Sequence, residues 1–309
     1  MSGGRALLNP VSGSTRVAGL VGWPVRHSLS PTILNAGFEA SGLDWTFLAF
    51  EVAPEHGHQV VEAVRVLGLG GLSVTMPHKA AAWAGVDART PVAEALGAVN
   101  CVYWDDDRLV GDNTDGAGFV DALKLDHGVD PRGLRCVLVG AGGAGRAVAR
   151  ALGESGAAEV VVVNRSPERA EHAAALAGPA GRVGSPDDLA GAELIVNATP
   201  IGMGYVAGDN LPPPLPFDPT FIRSGQVITD LVYYPLVTPL LSEAESRGAR
   251  PVTGLGMLVH QAAHAFRRWT GKNAPLPAMA AAALYELERR AQRGSAVTRL
   301  DGHPPGGAT

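Results

Sequence analysis

Short apolar runs alternate with amphipathic stretches along most of the chain. "VAGLVG" (17–22), "WTFLAFEV" (45–52) and "GLSVTM" (71–76) have the length and β-branched content of strands. A helix beginning near Pro31 separates the first two, and the periodic "GHQVVEAVRVLG" (57–68) predicts a helix between the second and third. "AVNCVYW" and "RLVGDNT" predict a hairpin closed by "DDD". Beyond Leu134 the pattern sharpens: "CVLV", "EVVVVN", "ELIVNAT" and "QVITDLV" are continuous apolar runs joined by helical spacers. Strands buried on both faces lose their polar alternation, so this half predicts a parallel, doubly wound sheet. From Thr253 the pattern is helical to about residue 293, and no internal repeat is evident.

The expected fold class is therefore α/β, in two domains. Residues 16–116 plus 256–293 form a substrate-binding and catalytic domain, and residues 117–255 a Rossmann domain. The stretch "GSAVTRLDGHPPGGAT" has turn-formers and no apolar face, so 294–309, like 1–15, is expected to be a disordered tail.

Composition narrows the class. With 309 residues, 46% hydrophobic, the chain can bury two cores. A net charge of −5 gives no basic footprint for nucleic acid or an acidic membrane surface. No run approaches the ~18 apolar residues of a membrane span, and no export signal core opens the chain. Cys101 and Cys136 both lie in apolar, strand-like runs, which fits reduced, inert thiols in the cytoplasm.

The strongest local motif is "VGAGGAGRAVARAL", where Gly140, Gly142 and Gly145 give G-x-G-x-x-G between a strand and a helix. Gly140 permits the tight turn, Gly142 lets a pyrophosphate approach the backbone, and Gly145 lets helix pack on strand. The free N–H groups of the helix N-terminus supply the anion site. In an NAD-binding unit the second strand is followed by a carboxylate that takes the ribose hydroxyls. Here "VVVNRSPER" places Asn164, Arg165, Ser166 and Arg169 there instead. A solvated arginine pair is the plain alternative. A missing acid together with two guanidinium groups favours a 2′-phosphate, hence NADP.

The first half must then hold the substrate. In "GWPVRHSLSP", Ser30 precedes Pro31 and is the expected N-cap, with Ser28 a loop hydroxyl; together they make a helix-terminal site for a small carboxylate. "LSVTMPHK" carries Thr75 and Lys79, "AVNCVYW" carries Asn100, and "GDNTDGAG" carries Asp112, Asn113, Thr114 and Asp115. "HQAAH" (260–264) has the spacing of a zinc helix, but Gln261 replaces the glutamate base and no third ligand is obvious, so no metal is expected.

"GWPVRHSLSP", "VTMPHK", "GAVN", "GDNTDG", "GAGGAGRA", "NRSPER", "NATPIGM", "DLVYYPLVTPLL" and "GLGMLVHQAAHAFRRWTG" occur in this order. Together they resemble the shikimate dehydrogenase family over roughly residues 16–290. The resemblance implies NADPH-linked reduction of 3-dehydroshikimate to shikimate, with Lys79 and Asp115 as the catalytic pair. It implies that Ser28 and Ser30 hold the carboxylate, and that Thr75, Asn100, Asp115, Tyr233 and Gln261 line the ring and its hydroxyls. Along the cofactor it implies Gly140, Ala141, Gly142, Gly143, Ala144, Gly145, Asn164, Arg165, Ser166, Arg169, Thr199, Met203, Leu231 and Gly254. Two positions depart from the family: Ser73 stands where asparagine is common, and Leu34 where histidine is. Quinate or aminoshikimate relatives, and a non-catalytic nucleotide sensor, are the competing readings. The expected assembly is a monomer or homodimer.

Overall fold

The computed structural model describes residues 11–205 and 215–300, with side chains to residue 292. The expectation of a loose start at 1–15 falls mostly outside these residues, as does the end of the chain from 301.

Two six-stranded sheets organise the chain. The first is built from β1 (Arg16–Gly22), β2 (Trp45–Glu51), β3 (Gly71–Val74), β4 (Ala88–Arg89), β5 (Cys101–Asp105) and β6 (Arg108–Asp112), in the order β2-β1-β3-β5-β6-β4. β1, β2 and β3 run parallel, whereas β5 pairs antiparallel with both β3 and β6; the latter pair is the hairpin predicted from "DDD". Asp106, at its tip, adopts φ 52°, a left-handed conformation that Asp tolerates in turns.

The second sheet comprises β7 (Arg135–Val139), β8 (Glu159–Val163), β9 (Gly181–Val183), β10 (Leu194–Asn197), β11 (Val227–Asp230) and β12 (Arg250–Val252), ordered β12-β11-β10-β7-β8-β9 with parallel pairing throughout. The four apolar runs are its centre. Its edges, β9 and β12, are three residues each and lack an apolar run; Pro251 sits in β12, where an edge strand tolerates the missing donor.

The helices are α1 (Ser30–Ala40), α2 (Val60–Val66), α3 (Lys79–Gly85), α4 (Pro91–Leu96), α5 (Asp115–Asp121), α6 (Gly143–Glu154), α7 (Pro167–Leu176), α8 (Pro239–Ser246), α9 (Leu255–Thr270) and α10 (Leu276–Leu300). The helix expected over 57–68 is shorter, because a 3₁₀ turn occupies Pro54–Gln59 before α2. The backbone of α10 continues as helix to Leu300, past residue 294 where the expected tail begins. "GSAVTRL" contains one glycine and no proline, a composition compatible with helix.

α9 and α10 return to the first sheet. Leu255, Val259, Phe266 and Trp269 of α9, with Met279 and Leu287 of α10, share one buried cluster with Ala18, Leu20, Ile33 and Phe47. A separate cluster fills one face of the second sheet around Leu138, Val148, Leu152 and Val162. α5 lies between the two halves. A Cβ on Gly116 would stand 2.6 Å from Ala147 O of α6, and one on Gly118 2.5 Å from Gln261 N of α9. Glycine on these two faces lets α5 touch the backbone of both neighbours.

Candidate functional site

The carboxyl ends of the strands carry most of the residues in question, the usual position of a site in an open α/β sheet. Lys79 is the first residue of α3 and Asp115 the first of α5. Lys79 Nζ donates to Asp115 Oδ2 at 2.5 Å, although their Cα atoms belong to separate elements 36 residues apart. Asn100, just before β5, donates from Nδ2 to Asp115 Oδ1 at 2.7 Å. The backbone N–H of Asp115 donates to Asn113 Oδ1 at 3.2 Å. The carboxylate thus has a donor on each oxygen and its backbone is tethered as well. Asp115, Asn100, Asn113 and Thr114 are all buried, while Lys79 keeps partial exposure. A partly wet ammonium held by a buried, oriented carboxylate can present a proton to a ligand entering from solvent.

Asp112, at the end of β6, braces this loop. It accepts from Thr90 Oγ1 (2.7 Å), from the backbone N–H of Asn113 (2.8 Å) and from Arg268 Nε of α9 (3.0 Å). His78, buried before Lys79, bonds through Nε2 to Val52 O at 2.7 Å.

The serine pair differs from its expected roles. Leu29, not Ser30, occupies the N-cap of α1, and Ser30 is the first helical residue. Ser28 Oγ accepts from the Ser30 backbone N–H at 3.2 Å, so Ser28 satisfies an orphan donor at the helix start. Pro31 falls at the second helical position. Ser28 Oγ also donates to Ser30 Oγ (3.2 Å), so the hydroxyls are adjacent at the helix N-terminus.

The other substrate-side residues are placed separately. Thr75 follows β3, its backbone N–H bonded to Val21 O, and its methyl would collide with any Cβ at Gly22. Tyr233 packs against the cluster under α1 and α9, and burial pushes its phenol up. Gln261 lies on α9, with its amide donating to Leu258 O at 2.8 Å. The two histidines beside it each face an aspartate: His260 Nε2 lies 3.1 Å from Asp126 and His264 Nε2 2.8 Å from Asp121. A π-helical turn at Ala122–Asp126 sets the spacing of those aspartates.

In the second domain, Gly140 follows β7 at φ +105°, a conformation open to glycine, and a Cβ there would also meet Ala198 C at 2.9 Å. A Cβ at Gly145 would lie 2.3 Å from Gly140 O, which fixes the close approach of α6. Gly142 is the N-cap of α6, and both it and Gly143 face open space. Asn164 Oδ1 accepts from Ala141 N–H at 3.2 Å and Nδ2 donates to Ser166 O at 3.0 Å, tying the glycine turn to the end of β8. Ala144 lies in the first turn of α6. An open cavity of about 330 Å³ is lined by Ala141, Gly142, Gly143, Arg146, Arg169 and His172. Its lining holds two guanidinium groups, an imidazole and no acid, and suits a phosphate-bearing dinucleotide. Arg165 is exposed beside it without lining it.

Arg146 lies within the quoted "GAGGAGRA" without being assigned a role there, and His172 carries no motif signal of its own. Both become visible only as one helical turn beyond a motif residue, Gly142 and Arg169 respectively. Arg146 also donates to Leu96 O of α4 at 3.2 Å, joining the two halves.

The remaining cofactor-side residues follow β10 and β11. Thr199 donates from its hydroxyl to Asn197 Oδ1 (2.7 Å), Asn197 donates to Asp230 Oδ1 (2.8 Å), and Thr238 donates to Asp230 Oδ2 (2.6 Å). Burial pushes the Asp230 carboxyl up. Leu231 O would lie 2.5 Å from a Cβ at Gly254, and Met203 is 58% exposed.

These features define a two-domain α/β protein with a dinucleotide-type glycine turn in one half and a Lys–Asp pair in the other. Family models agree: the shikimate dehydrogenase substrate binding domain matches residues 20–102, shikimate / quinate 5-dehydrogenase 126–190, and the shikimate 5′-dehydrogenase C-terminal domain 254–284. The shikimate dehydrogenase (NADP(+)) of Methanopyrus kandleri is 43% identical, covering 90% of this chain and 98% of its own. That of Moorella thermoacetica is 44% identical, covering 87% and 92%. The Thermus thermophilus shikimate 5-dehydrogenase, solved in complex with NADP(H) and shikimate, superposes with a TM-score of 0.80 at 38% identity, over 87% of this chain and 99% of that one. The chain belongs to the shikimate dehydrogenase family.

Proposed function

We propose that this protein catalyses the reversible, NADPH-dependent reduction of 3-dehydroshikimate to shikimate. The observation that carries the reading is the Lys79–Asp115 pair, assembled from two helix starts and buried on the aspartate side, in a chain whose curated relatives are NADP-dependent shikimate dehydrogenases. When bound, the reduced nicotinamide supplies a hydride to the keto carbon. The oxygen left with the electron pair takes a proton from Lys79 Nζ, and the ammonium stabilises the charge as it develops. Asp115, held by Asn100, orients that ammonium and can accept from a neighbouring hydroxyl. Ser28 and Ser30 hold the carboxylate, with Thr75, Asn100, Tyr233 and Gln261 against the ring.

Arg165 and Arg169 hold the 2′-phosphate beside Asn164 and Ser166, and the glycine turn, with Ala141, Gly143 and Ala144, takes the pyrophosphate at the start of α6. Thr199, Met203, Leu231 and Gly254 line the remainder. The division follows as residues 16–116 with 256–293 for substrate and 117–255 for cofactor. No helix among the described residues is long and apolar enough to cross a membrane. Free, buried Cys101 and Cys136, the latter pushed up to about 12 by burial, support a reducing cytoplasm, with a small molecule as partner and a monomer or homodimer as assembly.

Purified protein mixed with NADP and shikimate, followed at the nicotinamide absorbance, tests the reading. Turnover abolished in Lys79→Ala supports it. Nucleotide binding with no turnover in the parent protein supports the sensor reading instead.

A further inference from the structure

Thr114 stands at the N-cap of α5, where a threonine hydroxyl ordinarily accepts from a backbone N–H of the first turn. It makes no such bond. Its Oγ1 lies 3.1 Å from Gln261 O, in the middle of α9, and 3.1 Å from Asn100 Nδ2. Its backbone N–H donates to Asn100 Oδ1 at 2.8 Å. The residue is buried, and all these partners lie outside α5.

Asn100 has two N–H groups and one carbonyl: one N–H goes to Asp115 Oδ1, the other to Thr114 Oγ1, and the carbonyl accepts from Thr114 N–H. The single Thr114 hydroxyl proton has two acceptors within reach, Gln261 O at 3.1 Å and Asn100 Oδ1 at 3.3 Å, and the Gln261 carbonyl is the nearer. One turn further along α5, Gly118 sits against the Gln261 backbone so closely that a Cβ would lie 2.5 Å from its nitrogen. Gln261 is therefore registered against α5 at two points, a hydrogen bond and a backbone contact.

We infer that Thr114 is a positioning residue for the reaction: its hydroxyl sets the register of α9 against α5 and, through Asn100, holds the carboxylate that orients Lys79. The Thr114 hydroxyl makes no hydrogen bond to Lys79 or to the Asp115 carboxylate; its bonds go to Asn100 and Gln261. Its effect on chemistry passes through Asn100 on one side and through the placement of Gln261 on the other. Removing it frees one N–H of Asn100, so the amide can rotate away from Asp115.

The inference rests on the proposed oxidoreductase activity, and the experiment separates the two. Thr114→Val keeps the shape and removes the hydroxyl; Thr114→Ser keeps the hydroxyl. The readouts are kcat and KM for shikimate oxidation, KM for NADP, and the melting temperature. Thr114→Val is expected to lower kcat by about 10-fold or more, the scale of a misoriented catalytic group. KM for NADP should stay within about 2-fold, so that the loss falls on kcat. Thr114→Ser should restore kcat. If the valine variant does not fold, Thr114→Ala carries the same expectation. A variant lacking the hydroxyl with unchanged kcat overturns the inference, as does a serine variant no better than valine. A parent protein without turnover contradicts the proposed activity itself.

Discussion

Gly118 of α5 faces the backbone of Gln261 of α9, and a Cβ at residue 118 would fall 2.5 Å from Gln261 N and 2.8 Å from Gln261 Cα. No flexible side chain is available to yield at this contact. Gly118→Ala must push α9 away from α5, and overpacking of this kind costs roughly 1–3 kcal/mol. The expected outcome is a lower urea midpoint together with a raised KM for shikimate and a smaller change in KM for NADP. A variant with parental stability and kinetics would show that the helices can separate without consequence.

The arginines after β8 bear on the cofactor. Arg165 and Arg169 are exposed and make no ion pair among the described residues, so their charges are free for a ligand. Arg165→Ala is expected to weaken NADP by about 10-fold or more, the scale of a lost charge-assisted bond to phosphate, and the double change with Arg169→Ala by more. NAD binding should change little. Titrating both dinucleotides against each variant checks this; equal losses would remove the phosphate assignment.

Lys79→Ala addresses the chemistry directly. Loss of a general acid is expected to lower kcat by about 100-fold or more with a smaller change in substrate binding. A rise confined to KM would make Lys79 a binding residue.

One ionic cluster gives a pH-dependent stability. Arg182, with help from the Ser185 backbone N–H and Arg135, holds the Asp188 carboxyl at about 2, below its usual 3.8. A depressed folded pKa contributes stability that is present above the unfolded value and lost as pH falls through the folded one. Asp188→Asn is therefore expected to be less stable than the parent at neutral pH, with the difference shrinking between about pH 4 and pH 2. Urea midpoints across that window are the check. A constant difference would mean that the loss comes from packing and not from charge.

Legibility in the sequence followed the range of the interactions. The glycine turn could be read because strand, turn and helix are contiguous, and Gly140, Gly142 and Gly145 each meet a local demand. The central strands of the second sheet showed as apolar runs, whereas β9 and β12, short and at the edges, have no run to see. Lys79 and Asp115 came only through resemblance to a family, since their meeting depends on how β3 and β6 lie in one sheet. Thr114 was one polar residue of "GDNTDGAG", and its bond to Gln261 spans 147 positions of chain. Ser30, expected at the N-cap from its place before Pro31, is instead the first helical residue, and Ser28 accepts from its N–H. The aspartates facing His260 and His264 are spaced by a π-turn, which carries no composition signal.

The central claim is an NADP-linked shikimate dehydrogenase, and Ser73, where the family commonly has asparagine, makes the polyol the discriminating variable. The most direct measurement is kcat/KM of the purified protein for shikimate with NADP, set beside quinate with NADP and shikimate with NAD at one pH. The account predicts that shikimate with NADP is fastest, by about 10-fold or more over NAD, given the arginines and the missing acid after β8. Faster turnover of quinate than shikimate, or of NAD than NADP, would contradict it.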